Sequence, residues 1–269
     1  MADWPIYSAG GKCEYLGGGS VETTSSNTLT AIYQITDSMP FTGILVGIIN
    51  ISTEYGPSCL CNLYIGGAGN EIAIANNLIV SHATDVDHLA SNLYLPVVVQ
   101  KGQRVSFNAQ ATHYPAWPSI LLSAIPIGNT LGNVFAICDT LGAVTSDSGG
   151  TVVDPGGTTN TYGNWVEFTA STNHNYKGII IGAGGQTNDD RQKSTTWILA
   201  IGYGASPDDS IVVEGCMFRC HSVGDSITPT YSAFFPVSIP KGVSLSVKAK
   251  CNKNDATDRL IDIILYCFV

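Results

Sequence analysis

An all-β chain built as two tandem antiparallel β-sandwiches of the jelly-roll kind is predicted by three observations. The chain repeats itself in order. Phe41-Thr-Gly-Ile-Leu-Val-Gly47 returns as Tyr176-Lys-Gly-Ile-Ile-Ile-Gly182, and Leu95-Pro-Val-Val-Val-Gln-Lys-Gly102 returns as Phe235-Pro-Val-Ser-Ile-Pro-Lys-Gly242. Between them, Ile65-Gly-Gly-Ala-Gly-Asn-Glu71 answers to Ile201-Gly-Tyr-Gly-Ala-Ser-Pro-Asp-Asp209. A domain-sized repeat of this kind is a tandem duplication and implies one fold used twice. Second, short runs rich in Ile, Val, Leu, Thr, Tyr and Phe are bounded by Gly, Pro, Asn and Asp. Third, helical spacing is never sustained, whereas strict alternation is: Leu29, Ala31, Tyr33 and Ile35 alternate with Thr30, Ile32, Gln34 and Thr36.

Taken along the first copy, strands are expected at 29–36, 43–51, 59–65, 71–75, 78–82, 92–99, 104–111 and 119–127. The second copy repeats the count, at 165–169, 177–182, 196–203, 210–214, 217–221, 233–239, 244–251 and 259–269. Eight strands per copy with frequent turn signals fit a two-sheet sandwich. Gln100-Lys101-Gly102 and Pro240-Lys241-Gly242 read as hairpin markers, the glycine taking the positive φ that a tight turn demands. Ser8–Asn27 and Thr140–Asn164 are weaker in strand signal, so each copy opens on an extended segment and then an excursion. The domains are expected at 1–128, with the N-terminal extended segment, and at 129–269, with an opening loop at 140–164; the junction falls near Gly128 to Gly132.

A chain of 269 residues accommodates two such domains, each of a size that can bury its own core. Hydrophobic residues make up 44% and charged ones only 12%, about half the usual share, so Ser, Thr, Asn and Gly supply much of the polar surface. A surface poor in charge leans toward burial in an assembly. The net charge of -9 opposes attraction to phosphate backbones and anionic lipid, which argues against nucleic acid and membrane surfaces as partners. The longest apolar runs are too short for a helical span. Met1-Ala-Asp-Trp-Pro5 has neither a basic start nor an apolar stretch followed by a cleavage site, so the protein is expected to be made and kept in the cytosol unless released by lysis.

The motifs that could carry chemistry have weightier structural readings. Of the eight cysteines, Cys13 and Cys138 are repeat partners, Cys59 and Cys61 share one strand face, and Cys216, Cys220, Cys251 and Cys267 lie in apolar strand patterns; buried free thiols are expected. Ser81-His82 and Cys220-His221 match between copies, as one inherited hydrogen bond would. Cys216-x-x-x-Cys220-His221 lacks a fourth zinc ligand nearby. Asp85-Val-Asp87-His88, Asp189-Asp190 and Asp208-Asp209 lack the spacing of a calcium loop. Ile65–Asn70 resembles a phosphate loop but leads into a strand, not a helix. Glu54, Glu71, Glu167 and Glu214 offer no pair that a glycosidase would need, and no Gly-x-Ser-x-Gly or His-Glu-x-x-His occurs. No cofactor, metal or catalytic residue is expected, so the chain reads as a non-enzyme. Loop aromatics remain: Tyr114 and Trp117 are the candidate contact residues, since Tyr and Trp present an apolar body and a polar tip to a protein or sugar. Tyr162 and Trp165, where the second copy begins, are loop aromatics of the same kind, although Trp165 starts a strand and is expected in the core.

At Ile65–Glu71 with Leu95–Gly102, and again at Ile201–Ala205 with Phe235–Gly242, the chain resembles virion proteins of tailed bacteriophages. Their domain carries an Ile-Gly-x-Gly-x-x-Gly-x-Glu element followed by a Leu/Phe-Pro-Val-x-Ile-Pro-x-Gly turn. Copy two departs from it, with Ser206-Pro-Asp-Asp-Ser210 in place of Gly-x-Glu. The resemblance implies fold and setting: a virion structural protein, either a capsid decoration or a tail or fibre component, working by assembly with other virion proteins. A homo-oligomer, a trimer among the symmetric options, is expected of such a component. The alternative is a carbohydrate-binding, receptor-recognition module of a phage tail, with Tyr114 and Trp117 stacking on sugars. A sandwich-fold glycan hydrolase ranks last.

Overall fold

The computed structural model describes residues 14–20, 30–34, 41–52, 59–80, 90–95, 102–111, 116–126, 137–146, 149–184, 195–220, 227–228, 231–254 and 259–269. Its first half holds β1 (Glu14–Ser20), β2 (Thr30–Gln34), β3 (Phe41–Ser52), β4 (Cys59–Gly67), β5 (Asn70–Val80), β6 (Ala90–Leu95), β7 (Arg104–Ala111) and β8 (Ala116–Pro126). They form two antiparallel sheets, in the orders β1-β8-β3-β6 and β2-β7-β4-β5. The second half begins with β9 (Ile137–Leu141) and β10 (Ala143–Val144). It continues with β11 (Gly149–Val153), β12 (Val166–Thr169), β13 (Tyr176–Gly184), β14 (Thr196–Tyr203) and β15 (Ile211–Cys220), then β16 (Ile227–Thr228), β17 (Phe235–Ile239), β18 (Leu245–Cys251) and β19 (Ile261–Phe268).

Setting aside the short strands β10 and β16, and taking β9 with β11 as the counterpart of β1, the second half repeats the first strand for strand. Its sheets run β11-β19-β13-β17 and β12-β18-β14-β15. Counted within each half, both give the orders 1-8-3-6 and 2-7-4-5, the two sheets of an eight-stranded jelly roll. The register agrees as well. Ile44 stands opposite Ala124 and Leu95, and its repeat partner Ile179 stands opposite Cys267 and Phe235. Ala31 faces Ser106 with a bulge before Tyr33, and Glu167 faces Ser246 with a bulge before Thr169. The pairing between the fourth and seventh strands slips: Ile65 meets Val105, whereas Ile201 meets Val247 and not Leu245, the repeat partner of Val105. A slip of two residues leaves every side chain on its own face, and so the core survives it.

Several sequence expectations need correcting. The predicted strand pairs 71–75 with 78–82, and 210–214 with 217–221, are each one strand, β5 and β15. Both carry a bulge that interrupts the alternation, at Asn77 (φ 53) and at Gly215 (φ 86). The opening segments are strands too: β1 pairs with β8, while β9 and then β11 pair with β19 along one edge. Residues 154–165 are tied down by hydrogen bonds from Asn160 N to Cys251 O (2.7 Å) and Gly163 N to Ala249 O (2.9 Å). Gly102 and Gly242 do take φ of 84 and 85. The turns they close are not hairpins, however, because β6 and β7, like β17 and β18, belong to different sheets.

Alternation builds the second core: Ile179, Ile181 and Ala183 of β13 meet Ile261, Ile263, Leu265 and Cys267 of β19, with Trp197, Leu199 and Ile201 from the opposite sheet. The first core is built from Cys59, Cys61, Leu63 and Ile65 of β4 with Phe107 of β7 and Leu93 and Leu95 of β6. It does not end at the first sandwich. Leu60 and Ile79, which are register partners on the other face of β4 and β5, join it to Ile180, Ile264, Tyr266 and Phe268 of the second half. The outer face of β2-β7-β4-β5 therefore lies on the outer face of β11-β19-β13-β17. This explains why all eight residues of β19 are buried.

Bulge and seam serve one another. Opposite Asn62, the extra residues of β5 leave backbone groups outside the ladder, and such groups must find partners when buried. The second half supplies them. Ile79 N donates to Tyr266 Oη (2.8 Å), which itself donates to Asn77 O (2.8 Å), and Tyr231 Oη donates to Ile79 O (2.6 Å). Asn77 N is satisfied locally by Asn62 Oδ1 (2.7 Å), whose amide donates to Asn108 Oδ1 (2.9 Å).

Candidate interaction surfaces

Of the two contact residues expected from sequence, Tyr114 lies outside the described residues. Trp117 is not in a loop: it is the second residue of β8, opposite Ile51 of β3. Pro118 does not stop the strand, because β1 pairs with β8 only from Ser119 onward, and an unpaired edge tolerates a missing N–H. Ser81, His82 and His221 lie outside the described residues, as do Glu54, the Asp85–His88 cluster and Asp189-Asp190.

Tyr162 and Trp165 form a surface of the kind that loop aromatics offer. Trp165 sits one residue before β12, where Val166 and Phe168 take the core side, so alternation puts Trp165 on the opposite face. There Lys248 Nζ stands 4.4 Å from the Trp165 ring and 5.0 Å from that of Tyr162, and Lys250 Nζ stands 4.6 Å from Tyr162. Lys248 also pairs with Asp208. The expectation that Trp165 fills the core is thus corrected. Lys248 and Lys250 occur at alternate positions of β18 between Val247, Ala249 and Cys251, which is the signal that marked this face as solvated.

A second cluster lies where the halves meet. Asp139 on β9 accepts hydrogen bonds from Tyr176 Oη and from His174 Nδ1 (3.1 Å). Burial raises its carboxyl pKa, but the hydrogen bonds from Tyr176 and His174 outweigh this and hold it below the ordinary value. Nearby, Thr140 Oγ1 donates to Asn76 O (3.0 Å), and Gln110 Nε2 donates to Thr145 O (2.8 Å). A cleft of about 290 Å³ opens at this seam, lined by residues 73–77 of β5 and by Asp139 and Thr140. Its walls are largely backbone and amide groups.

The remaining chemistry is structural among the described residues. Cys59, Cys61, Cys216 and Cys251 are free and buried, as the sequence reading expects, and Cys267 is buried with them. Cys59 Sγ and Cys61 Sγ lie 3.9 Å apart on one face of β4. Burial pushes the Cys216 thiol up to about 12, which keeps it protonated and unreactive at neutral pH. No group of three or more His, Cys, Asp or Glu side chains is placed to hold a metal among the described residues. Ile65–Asn70 closes the β4–β5 hairpin, with Gly69 at φ 80.

Glu71 is paired with Arg104 across the same sheet. Burial raises its pKa, but hydrogen bonds from its own backbone N–H and from Arg104 bring it below the ordinary value. Asp208 is likewise lowered, first by the hydrogen bond from Lys248. A depressed carboxyl contributes stability above its unfolded pKa, near 4, and loses it as pH falls through the folded value. The urea midpoint is therefore expected to fall steadily below about pH 4. Arg104→Ala should flatten that acid limb; an unchanged limb would remove the Glu71 pair as its cause.

No family model matches the chain, and no curated protein matches it. Among solved structures it is similar to PNGF-II, with a TM-score of 0.35 and 7% identity over 93% of this chain and 65% of that one. It is similar to the STIV MCP, with a TM-score of 0.32 and 10% identity over 94% and 96%. It is also similar to the T=1 Penaeus vannamei nodavirus, with a TM-score of 0.27 and 8% identity over 97% and 98%. The chain thus spans under two thirds of the length of the PNGF-II chain. At these TM-scores none of the likenesses bears on what the chain does, and the jelly-roll assignment stands on strand order.

Proposed function

We propose that this chain is a non-enzymatic structural protein of a virus particle, two jelly-roll domains divided near Gly128 to Gly132, acting by assembly with itself and with other virion proteins. The observation that carries the reading is the doubled 1-8-3-6 and 2-7-4-5 strand order, joined through a buried face. The charge-poor composition and the resemblance of the turn motifs to those of tailed-phage virion proteins support it, and the role proposed is that of a capsid decoration or a tail or fibre component.

Gradient-purified particles from the source of this chain are expected to contain it at a fixed ratio to the major coat protein, by quantitative mass spectrometry. Its absence from the particles would sink the proposal. Glycan-array binding that Trp117→Ala abolishes would turn the reading to receptor recognition.

A further inference from the structure

We infer that the open edge of β5 is a docking slot for one extended strand of another protein chain, held by backbone hydrogen bonds. This deepens the assembly reading, since it names the chemistry of a partner, and it rests on that reading. β5 ends the sheet β2-β7-β4-β5, so one side of its backbone has no neighbouring strand. Register tells which groups face outward. Gly67 and Asn70 close the hairpin as a bonded pair and the pairs alternate from there, so Glu71 and Ala73 turn their N–H and C=O away from β4. The extra residue Ile74 shifts the outward set to Asn76, whose carbonyl accepts from Thr140 Oγ1 (3.0 Å). A hydroxyl of β9 thus already stands where the next strand would bond. Glu71 N–H is taken by its own carboxylate, which leaves Glu71 C=O, both groups of Ala73 and Asn76 N–H for an added strand.

The surroundings of this edge fit a single strand. The cleft of about 290 Å³ runs beside residues 73–77, with Asp139 and Thr140 as its far wall. That wall leaves room for one extended segment and bars the edge of a second folded sheet. Donors and acceptors repeating at strand spacing are matched by another extended backbone, the mode of recognition in which a peptide adds a strand to a sheet. Ile72 is an independent sign. It stands opposite Ile65 on the core side of the sheet, yet it is 67% exposed where Ile65 is 3%. An apolar residue of the added strand would cover it, and alternation would turn that residue's neighbours toward exposed Ala73. The occupant is therefore an uncharged strand of alternating apolar and small polar residues. From Asn70 to Asn76 the edge runs about 20 Å, the length of an ordinary strand.

The matching edge of the second half, β15, is guarded. Both strands carry bulges, which discourage edge pairing, but β15 adds exposed Glu214 and Arg219, and β16 pairs with it at Arg219 and Cys220. β5 has neither device. Its one charge, Glu71, is paired with Arg104, and no Lys or Pro occurs from Asn70 to Val80. One fold used twice has thus kept its protection at one edge and not at the other. An edge left in this way accepts a strand.

Mixed with a capped Thr-Val-Thr-Val-Thr-Val peptide, the intact chain should show amide exchange across residues 70–76 slowed roughly tenfold or more, read by mass spectrometry. The same peptide N-methylated at every backbone nitrogen should have no effect. Ala73→Pro removes an outward N–H that an edge tolerates losing, and should abolish the protection at an unchanged melting temperature. Ile72→Lys, a charge at an exposed position, should weaken it without touching the ladder to β4. Protection at residues 211–217 instead, with the methylated peptide as well, or not at all, overturns the inference. So does protection that rises with the chain's own concentration in the absence of peptide, which would assign the edge to a second copy. In gradient-purified particles the same amides should be protected. A chain present in particles whose residues 70–76 exchange as in isolation keeps the assembly reading and removes the slot. A chain that takes the peptide and is absent from particles keeps the slot and removes that reading.

Discussion

Trp197→Ala is expected to cost about 3–5 kcal/mol, enough to unfold much of the second sandwich near room temperature. Trp197, the second residue of β14, is fully buried and packed among Leu199, Phe218, Val247 and Cys251. Its indole Nε1 donates to Arg259 O at 2.7 Å, so alanine leaves both a cavity and an unpaired carbonyl. Trp165→Ala is the contrasting case. That ring is half-buried beneath Lys248 on the solvated face, and losing a cation–π contact of this kind costs about 0.5–1 kcal/mol. Urea unfolding of the two variants measures the difference, and equal losses would mean that the core is wrongly assigned.

These two tryptophans show how far the sequence could be read. Both open a β pattern, and only the parity of the following strand separates them. For Trp165 the deciding residues are Val166 and Phe168, which take the core side. The repeated motifs were legible because they encode turns and strand centres: Gly102 and Gly242 take the same φ, and Ile44 and Ile179 the same register. The Gly-rich strand β1 carries too few apolar residues to register as one. The bulges at Asn77 and Gly215 each break one strand into two apparent pieces. The seam was hidden for another reason. Ile261 to Phe268 reads as a generic core strand, but an apolar run without alternation is the mark of a strand covered on both faces. What covers the second face depends on Ile79 and Asn77, far away in the chain.

Removing the two seam hydroxyls tests whether that cover joins the halves into one folding unit. Tyr266→Phe keeps the ring, which lies 5.9 Å from that of Tyr231, but leaves Ile79 N–H and Asn77 C=O without partners. Each buried orphan costs about 1–3 kcal/mol, and Tyr231→Phe adds the carbonyl of Ile79. These losses fall on the contact between sandwiches, since every acceptor and donor concerned lies in β5 while both tyrosines lie in the second half. Calorimetry should therefore turn one melting transition into two in the double variant, with strand content retained below the first. Alkali supplies an independent check. Burial raises both phenol pKa values, so the folded state holds these protons more tightly than the unfolded chain. Their contribution is complete below about pH 10 and is lost as pH rises toward the folded values. The wild-type protein should weaken steeply above pH 10, and the double variant, having no phenols at the seam, should lose proportionately less. A single unsplit transition with an unaltered alkaline limb would mean that the tyrosines do not couple the halves.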